Sequence, residues 1–436
     1  MVDFGRSDDP GVQAQLDRLS QLSVPQGRFG LQTITALMNR LGNPHRKLPP
    51  VFHVAGTNGK GSTCAFLRAI LEADGKSVHV TTSPHLVRYN ERIRIAGELI
   101  CDNELADLLG EVLDVSSDLG PSFFEVTIAA AFLAFSRHEA DACVVEVGLG
   151  GRFDATNVLE PAAVAVSGIA ALGLDHERFL LAPEDGTPDI PMARIAFEKA
   201  GIAKKSVPLV ALDQVPEATR QLIVRAESVS APLALRGDGW SSKLVLKDEA
   251  EPHWLYHDNE GELRLPIPNL NGPHQLRNAA LAVAMLRHQD EVLVDEDAYA
   301  AGLTSAIWPG RFQKLAHGPL SQGREVWIDG GHNPSAGDAM AEFWKDEKIH
   351  LILGMLANKD PDAIVEPLRA SCSTLTIVPV PGHDWHPVQA FGEGARFAPD
   401  LPSAMAGLPD DERPVFIAGS LYLMGEALRL NGETPT

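Results

Sequence analysis

The chain has 436 residues, more than one domain usually holds, so we expect two domains. Its formal net charge of −21 argues against a broad surface for nucleic acid or an anionic membrane, so local lysines and arginines must capture any anionic substrate. Its four cysteines form no CxxC pair, no apolar run reaches membrane-spanning length, and the first residues lack signal-peptide features, so we expect a reduced, cytoplasmic protein.

A glycine-rich turn follows the first predicted strand, behind helices predicted over 12–19 and 31–41. A strand at 51–54, the turn at 56–61 and a helix from residue 62 are typical of a phosphate-binding loop, because glycines admit an anion and a helix start presents free amides. Lys60 would neutralise the outer phosphates, and Ser62 or Thr63 would reach Mg²⁺. The match to GxxxxGK[ST] is imperfect, because Gly61 is inserted after the lysine, so a solvated surface turn is the alternative.

The next segments extend this unit into a sheet. A strand at 77–81 completes a strand–helix–strand unit, which predicts parallel pairing, and it ends in a loop that contains Ser83. An apolar helix is predicted over 123–135. Ser122 and Glu125 have the spacing of a capping box, and that cap alone would explain the acid.

Two polar side chains follow neighbouring apolar strands. Glu146 ends a strand at 142–147 and precedes a glycine-rich loop, which suits a metal ligand, although a loop-capping carboxylate is the alternative. A second strand at 162–169 is followed by His176. That histidine is either a hydrogen-bonded structural residue or a ligand at the same sheet edge.

The middle of the chain continues the alternation of helices and strands. A proline- and acid-rich loop at 180–191 precedes a helix at 192–202, where Lys199 is either a surface lysine or an inward-facing one. A strand at 206–211 follows. Short strands between 240 and 265 predict a β-meander, and an alanine-rich helix comes after residue 278.

A Pro-Gly break at 309–310 is the best domain boundary. The predicted fold is α/β: an N-terminal P-loop domain with a mostly parallel sheet over 1–308, and a smaller C-terminal α/β domain over 309–436. The second domain has strands at 325–329, 349–353, 374–378 and 415–418 and lacks a P-loop.

Several motifs in a fixed order resemble the folylpolyglutamate synthase/dihydrofolate synthase family, relatives of the Mur ligases. They are GTNGKGST, SPHLVRYNERIRI, EVGLGGRFDATN, the Asp-His pair, EKAG, GRFQ and DGGHNP. The likeness runs from the glycine turn to GSLYL near the C-terminus. It implies an ADP-forming ligase of folate biosynthesis that phosphorylates the carboxylate of dihydropteroate or a reduced folate and joins it to L-glutamate. The alternatives are a Mur-type cell-wall ligase, for which the 50 residues before the P-loop are too few to form an extra domain, and a non-catalytic nucleotide-binding module.

The resemblance also implies roles for individual residues. The ATP-binding residues would be Thr57, Asn58, Gly59, Lys60, Gly61, Ser62, Asn278, Arg311 and Asp329. The pterin-binding residues would be Phe29, Gly30, Ser122, Phe123, Phe124, Glu125, Arg152, Phe153 and Asp154. The ligands of Mg²⁺, two ions by that likeness, would be Ser62, Ser83, Glu146, His176 and a carbamylated Lys199.

Catalysis would then depend on Lys60, Lys199 and His332, although a structural cap is an equal alternative for His332. Phosphoryl transfer between two anions needs positioning and charge neutralisation, which suits Lys60, Arg311 and magnesium. The motifs favour both the dihydrofolate synthase and the folylpolyglutamate synthase activity. A monomer is expected, with no nucleic-acid or membrane partner.

Overall fold

A computed structural model of the chain describes residues 5–22, 30–245 and 252–435. The chain forms two compact units. Unit 1 takes the described residues within Met1–Ser83, Tyr89–Asn269 and Gln275–Ile307. Unit 2 takes those within Pro84–Arg88, Leu270–His274 and Trp308–Thr436, so neither unit is one continuous stretch. The predicted boundary between an ATP-binding domain (1–308) and a C-terminal domain (309–436) stays a prediction.

Unit 1 is built on an eight-stranded sheet. Its strands are β1 Val51–Ala55, β2 Val78–Thr81, β3 Ile93–Ile95, β4 Glu98–Leu99, β5 Ala142–Glu146, β6 Val164–Ile169, β7 Leu209–Ala211 and β8 Leu233–Leu235. They lie in the order β4-β3-β2-β5-β1-β6-β7-β8. All neighbours pair in parallel except β2 with β3 and β3 with β4. The predicted mostly parallel sheet is therefore confirmed, with β1 near its centre.

Ten helices in the described part of unit 1 accompany this sheet. They are α1 Pro10–Ser20, α2 Gln32–Arg40, α3 Lys60–Ala73, α4 Asp102–Val115, α5 Phe123–Phe135, α6 Glu177–Leu180, α7 Pro191–Ala200, α8 Pro216–Val229, α9 Gln275–Arg287 and α10 Glu296–Ser305. One apolar core joins α1, α2, α4 and α5 to the sheet through side chains such as Phe132 and Val145. A separate core joins the strand-end residues Ala55 and Ile169 to the helices that follow β6. These two cores hold the strand ends in place.

Two predicted strands begin two or more residues later than the sequence suggested. The strand predicted at 162–169 starts at Val164, because Pro161 opens a 3₁₀ turn over Pro161–Ala163. The strand predicted at 206–211 starts at Leu209. Ser206 has a left-handed backbone (φ 60°), which interrupts an extended chain.

The predicted β-meander is a separate antiparallel sheet. Its strands are β9 Ser241–Val245, β10 His253–Asp258 and β11 Gly261–Pro266, with β10 in the middle. Trp254 and Tyr256 of the central strand are fully buried. The rest of the predicted first strand lies outside the described residues.

Unit 2 has its own six-stranded sheet in the order β12-β13-β17-β14-β15-β16. The strands are β12 Gln313–Lys314, β13 Val326–Asp329, β14 Ile349–Leu353, β15 Cys372–Ile377, β16 Arg396–Phe397 and β17 Val415–Ala418. The helices are α11 Pro334–Phe343, α12 Asp362–Leu368, α13 Leu401–Ala406 and α14 Leu421–Asn431. All pairs are parallel except β12 with β13, so this unit is also α/β.

Over the described residues, no helix combines the length and the apolar character needed to traverse a bilayer.

Candidate active site

The glycine turn joins β1 directly to α3. Gly59 caps the helix with a left-handed backbone (φ 84°), a conformation that glycine adopts without strain. A Cβ at this position would lie 2.2 Å from Oδ1 of Asn278, so the side chain of Asn278 lies directly against the turn. Asn278 is buried and donates to Gln275 Oε1 at 3.0 Å. The turn thus has the strand–turn–helix geometry of a phosphate-binding loop.

Two lysines meet at one carbonyl oxygen of this turn. Nζ of Lys60 donates to the Gly56 oxygen at 3.2 Å, and Nζ of Lys199 donates to the same oxygen at 2.8 Å. Lys199 is 5% exposed, so it is the inward-facing lysine and not a surface one. Burial, reinforced by the charge of Lys60, lowers the pKa of Lys199 to about 7. The amino groups of both lysines therefore lie at the start of the glycine turn.

The segment after β6 holds the turn from the other side. Backbone N–H groups of Thr57 and Asn58 donate to the Ala171 oxygen at 2.9 and 3.1 Å. The Thr57 hydroxyl donates to the Gly173 oxygen at 2.9 Å. This segment leads to His176, whose backbone is left-handed (φ 52°) and which caps α6. The turn is therefore held by its connection to β1 and by hydrogen bonds to the segment that follows β6.

Glu146 ends the strand on the other side of β1. Its side chain is buried, and its Oε2 accepts a hydrogen bond from the backbone N–H of Ser83 at 3.0 Å. Burial, together with the charge of Glu146, raises the pKa of the Cys64 thiol in α3. Because β5, β1 and β6 are adjacent and parallel, Glu146, the turn and the segment before His176 share one sheet edge.

The oxygen groups at this edge suit a hard divalent cation. Ser62 is buried in the first turn of α3, and Glu146 is a buried carboxylate on the adjacent strand. Mg²⁺ prefers such oxygens and takes its other ligands from water and substrate phosphates. In the part of the chain that the structure describes, no three His, Cys, Asp or Glu side chains gather as a metal cluster. Of the predicted ligands, only Glu146 and His176 are of these four residue types, so the predicted magnesium site does not consist of three such side chains.

The predicted pterin segment at the start of α5 is a complete capping box. The Ser122 hydroxyl and Glu125 backbone N–H are 3.2 Å apart, and Glu125 Oε2 accepts from the Ser122 backbone N–H at 2.8 Å. The structural alternative for Glu125 is thus confirmed. Phe124 packs on Gly148, where a Cβ would be 2.5 Å from the ring, and Phe123 contacts Tyr89 edge-on. The contact between Phe124 and Gly148 joins the helix start to the loop after β5.

Asp154 anchors the loop after β5 through a buried hydrogen-bond chain. Its Oδ1 accepts from the Thr156 hydroxyl at 2.5 Å, and the Thr156 oxygen lies 2.9 Å from Nε2 of His53 in β1. Because the threonine proton goes to the carboxylate, His53 donates from Nε2. Its Nδ1 has no partner in the part of the chain that is described. Burial raises the pKa of Asp154 and lowers that of His53 to about 3.

The remaining pterin candidates flank this loop. Arg152 stacks on Phe153 with its guanidinium 4.1 Å from the ring centroid. Its Nη2 donates to Oε1 of Glu198 at 2.8 Å. Gly30 lies just ahead of α2, and Phe29 lies outside the described residues.

In unit 2 the predicted residues surround the end of β13. Asp329 is buried and accepts from the backbone N–H groups of Phe312 at 3.0 Å and Gly331 at 2.7 Å. A Cβ on Gly330 would lie 2.9 Å from Nη1 of Arg311, so the arginine lies over this turn. Nδ1 of His332 is 3.0 Å from the Gly330 oxygen, and the next residue, Asn333, caps α11.

Sequence reasoning missed two residues of this constellation. His53 is a polar residue in an otherwise apolar strand, and that interruption was the available signal. Glu184 contacts Arg152 and Arg194 from the loop before α7. Nothing in its sequence neighbourhood singles it out.

The chain was compared with known proteins, and no family model matches it. The dihydrofolate synthase/folylpolyglutamate synthase of Bacillus subtilis is 34% identical over 78% of this chain and 78% of its own length. Its Escherichia coli counterpart is 36% identical over 76% and 73%. Among solved structures, E. coli FolC in complex with DHPP and ADP has a TM-score of 0.83 at 30% identity, covering 97% of this chain and 98% of that one. A bifunctional enzyme with Mn, AMPPNP and L-glutamate bound has a TM-score of 0.81 at 29% identity, covering 98% and 99%.

The parallel sheet, the glycine turn with its lysines and the solved neighbours together define a P-loop ligase with a Mur-ligase-like fold. The chain belongs to the folylpolyglutamate synthase/dihydrofolate synthase family, whose members are ADP-forming ligases. The family resemblance and the fold class predicted from the sequence are thereby confirmed.

Proposed function

We propose that this chain uses ATP to join L-glutamate to the carboxyl group of dihydropteroate, and also of reduced folates, with release of ADP and phosphate. The observation that carries the proposal is the convergence of Lys60 and Lys199 on the Gly56 oxygen. It is supported by relatives that carry the dihydrofolate synthase/folylpolyglutamate synthase name and by neighbours solved with DHPP and ADP or with AMPPNP and L-glutamate.

A free carboxylate acylates amines poorly, so it must first be activated. In the proposed first step a carboxylate oxygen of the acceptor attacks the γ-phosphorus of ATP, and the bond to the β-phosphate oxygen breaks to release ADP. In the second step the neutral amine of glutamate attacks the acyl carbon, the C–O bond breaks and phosphate leaves. The amine then loses its proton, and an amide remains. Both steps need positioning and charge neutralisation more than covalent help from the protein.

The P-loop would hold the triphosphate. The backbone from Thr57 to Gly61 would face the phosphates, and the ammonium of Lys60 would compensate the charge that develops on them. Asn278 is well placed to act with the turn, because it lies against Gly59. From unit 2, Arg311 and Asp329 are proposed to contact ATP, and His332 to help position the acyl phosphate or glutamate.

A divalent cation is proposed to accompany ATP. Ser62, Ser83, Glu146 and His176 are its candidate ligands, and the resemblance implies two Mg²⁺ ions. When bound, the metal would withdraw charge from the phosphate oxygens. A neighbour solved with AMPPNP and Mn supports a divalent ion with the nucleotide.

Carbamylation of Lys199 is proposed as part of the same site. The amine is buried beside Lys60, and a pKa of about 7 leaves a large neutral fraction that can attack CO₂. Attack of the neutral Nζ on CO₂ forms an N–C bond and releases one proton, so an uncharged amine becomes an anionic carbamate that is attracted to the ammonium of Lys60. We expect a carbamate signal by carbon-13 NMR with labelled bicarbonate, and none from Lys199→Arg. The same spectrum for both proteins would contradict this step.

The acceptor is proposed to bind along the start of α5 and the loop after β5. The candidate residues there are Ser122, Phe123, Phe124, Glu125, Arg152, Phe153 and Asp154, and Phe29 and Gly30 are further candidates elsewhere in the sequence. Because Ser122 and Glu125 already satisfy each other in a cap, their proposed part is to fix the helix start. The aromatic and charged groups would then contact the pterin portion.

Acceptor dependence tests the proposal. ADP release is measured with dihydropteroate, with reduced folates and with UDP-muramoyl acceptors, each with and without glutamate. We expect glutamate-dependent release with the first two acceptors. Release that ignores glutamate would reject ligase chemistry, and release with the UDP-muramoyl acceptor alone would point to a cell-wall ligase.

The oligomeric state and the cellular location are also proposals. We expect a monomer, to be checked by light scattering, since a constant dimer mass would contradict it. A cytoplasmic setting agrees with four free cysteines, and fractionation of the producing cells tests it.

A further inference from the structure

The segment between α6 and α7 sends one acid inward and leaves its neighbouring acids outside. Asp185 and Asp189 are exposed, whereas the Glu184 side chain is 15% exposed. This segment contains the proline- and acid-rich loop of the sequence, to which no role has been assigned. One inward acid in an otherwise exposed loop indicates a specific contact.

Glu184 contacts two arginines that share a second glutamate. Its Oε1 accepts from Nη1 of Arg152 at 3.2 Å, and its Oε2 accepts from Nη2 of Arg194 at 3.0 Å. Glu198 pairs with the same two guanidinium groups at 2.8 and 3.0 Å. Four charged groups therefore form a neutral, largely buried cluster. Its members come from the loop after β5, the 180–191 segment and α7.

Such a cluster is poorly suited to a purely stabilising purpose. Burying charges costs desolvation free energy that their attraction only partly returns, and apolar replacements are often as stable. One donor of the cluster, Nη1 of Arg194, has no hydrogen-bond partner among the described residues. What the arrangement does provide is a fixed geometry, because bidentate guanidinium–carboxylate contacts restrict both partners.

That geometry bears on the loop after β5. The Arg152 backbone N–H donates to the Glu198 oxygen at 2.7 Å. A Cβ on Gly151 would lie 2.9 Å from that same oxygen, and one on Gly201 would lie 2.4 Å from Cα of Arg152. The loop is thus pressed against the end of α7, and Glu184 holds the arginine that leads into Phe153 and Asp154.

We propose that Glu184 is a positioning residue for the acceptor: through Arg152 and Arg194 it fixes the loop that presents Phe153 and Asp154 to the pterin portion. This inference rests on the proposed function, which places the acceptor at that loop. It gives the 180–191 segment a part in acceptor binding and none in ATP binding.

The test is Glu184→Gln, with Asp185→Asn as the matched control from the same segment. Removing the charge leaves two arginines on one glutamate, so KM for dihydropteroate should rise about tenfold, with KM for ATP and kcat within about twofold. Glu184→Asp should recover part of the loss, and Asp185→Asn should behave as the unaltered protein. An unchanged dihydropteroate KM, or an equal rise in KM for both substrates, would overturn the proposal.

A measurement on the unaltered protein covers the case in which the variant does not fold. Hydrogen exchange of the amides at 181–190 is followed with dihydropteroate, with ATP and without either. Dihydropteroate alone should slow exchange in this segment, because binding at the loop stabilises the cluster. Equal exchange in all three samples would overturn the proposal. If the unaltered protein releases no ADP with dihydropteroate and glutamate, the proposed function itself has failed, a result distinct from both of these.

Discussion

Replacing Gly59 by alanine probes the phosphate loop at its tightest point. An L-residue at φ 84° pays about 1–2 kcal/mol for the left-handed backbone. Its Cβ would also overlap Asn278 Oδ1 at 2.2 Å, so Asn278 must move and lose its bond to Gln275, worth about 1 kcal/mol. If the loop deforms to relieve both, about 2–3 kcal/mol of its preorganisation is lost, and kcat/KM for ATP should fall about 100-fold.

Gly75→Ala is the matched control for this experiment. Gly75 follows the same helix with a similar left-handed backbone (φ 76°), and a Cβ there would meet nothing within 4 Å. It therefore carries the conformational cost without the overlap and away from the loop. We expect a lowered melting temperature with near-normal kcat/KM for ATP. If Gly59→Ala and Gly75→Ala have the same kcat/KM for ATP, the assignment of this turn to phosphate binding is wrong.

Three further substitutions test other parts of the site. Lys60→Ala should lower turnover about 10²–10³-fold because it removes the charge that compensates the phosphates, as measured by ADP release. Ser122→Ala should lower the free energy of unfolding by about 1 kcal/mol in urea, since it opens the capping box with Glu125. His53 is buried neutral with a pKa of about 3, so the unfolded chain binds the extra proton below about pH 6.5 and stability falls with pH from there. At pH 5 the unfolding free energy is lower by about 2 kcal/mol for this reason. In His53→Gln, the drop in unfolding free energy from pH 7 to pH 5 should therefore be smaller by about 2 kcal/mol.

Exposed residues of the same types serve as controls for these three. They are Lys205, Ser228 and His257. Their substitution should leave turnover, unfolding free energy and its pH dependence unchanged. Lys60→Ala with the turnover of Lys205→Ala, or a wild-type acid profile in His53→Gln, would contradict the corresponding argument.

The helix Phe123–Phe135 shows what sequence alone could predict. Its capping residues and its apolar run are adjacent in the chain, so both ends were found correctly. The strands that began late had competing local features instead: Pro161 opened a 3₁₀ turn, and Ser206 turned left-handed. Local rules succeed where the determinants of an element lie inside it.

Parts of the site were beyond such rules. Whether Lys199 faced water or the P-loop depended on how α7 packs on the sheet, which no local pattern records. The two arginine partners of Glu184 are 10 and 32 residues away, and Glu198, which shares them, is 14 residues away, so the cluster appears only once the chain is folded. The motifs predicted which segments form the site, whereas tertiary packing determined which side chains come into contact.

The chain of hydrogen bonds from His53 to Asp154 has a consequence for how the enzyme tolerates change. His53 lies in the central strand β1, three residues before the glycine turn. The same strand therefore positions both the nucleotide loop and, through Thr156, the side chain of Asp154 at the proposed acceptor site. A displacement of that strand carries both together and preserves the spacing between them. Substitutions that shift β1 therefore affect the nucleotide loop and the Asp154 loop at once, whereas the edge strands β4 and β8 are separated from β1 by other strands.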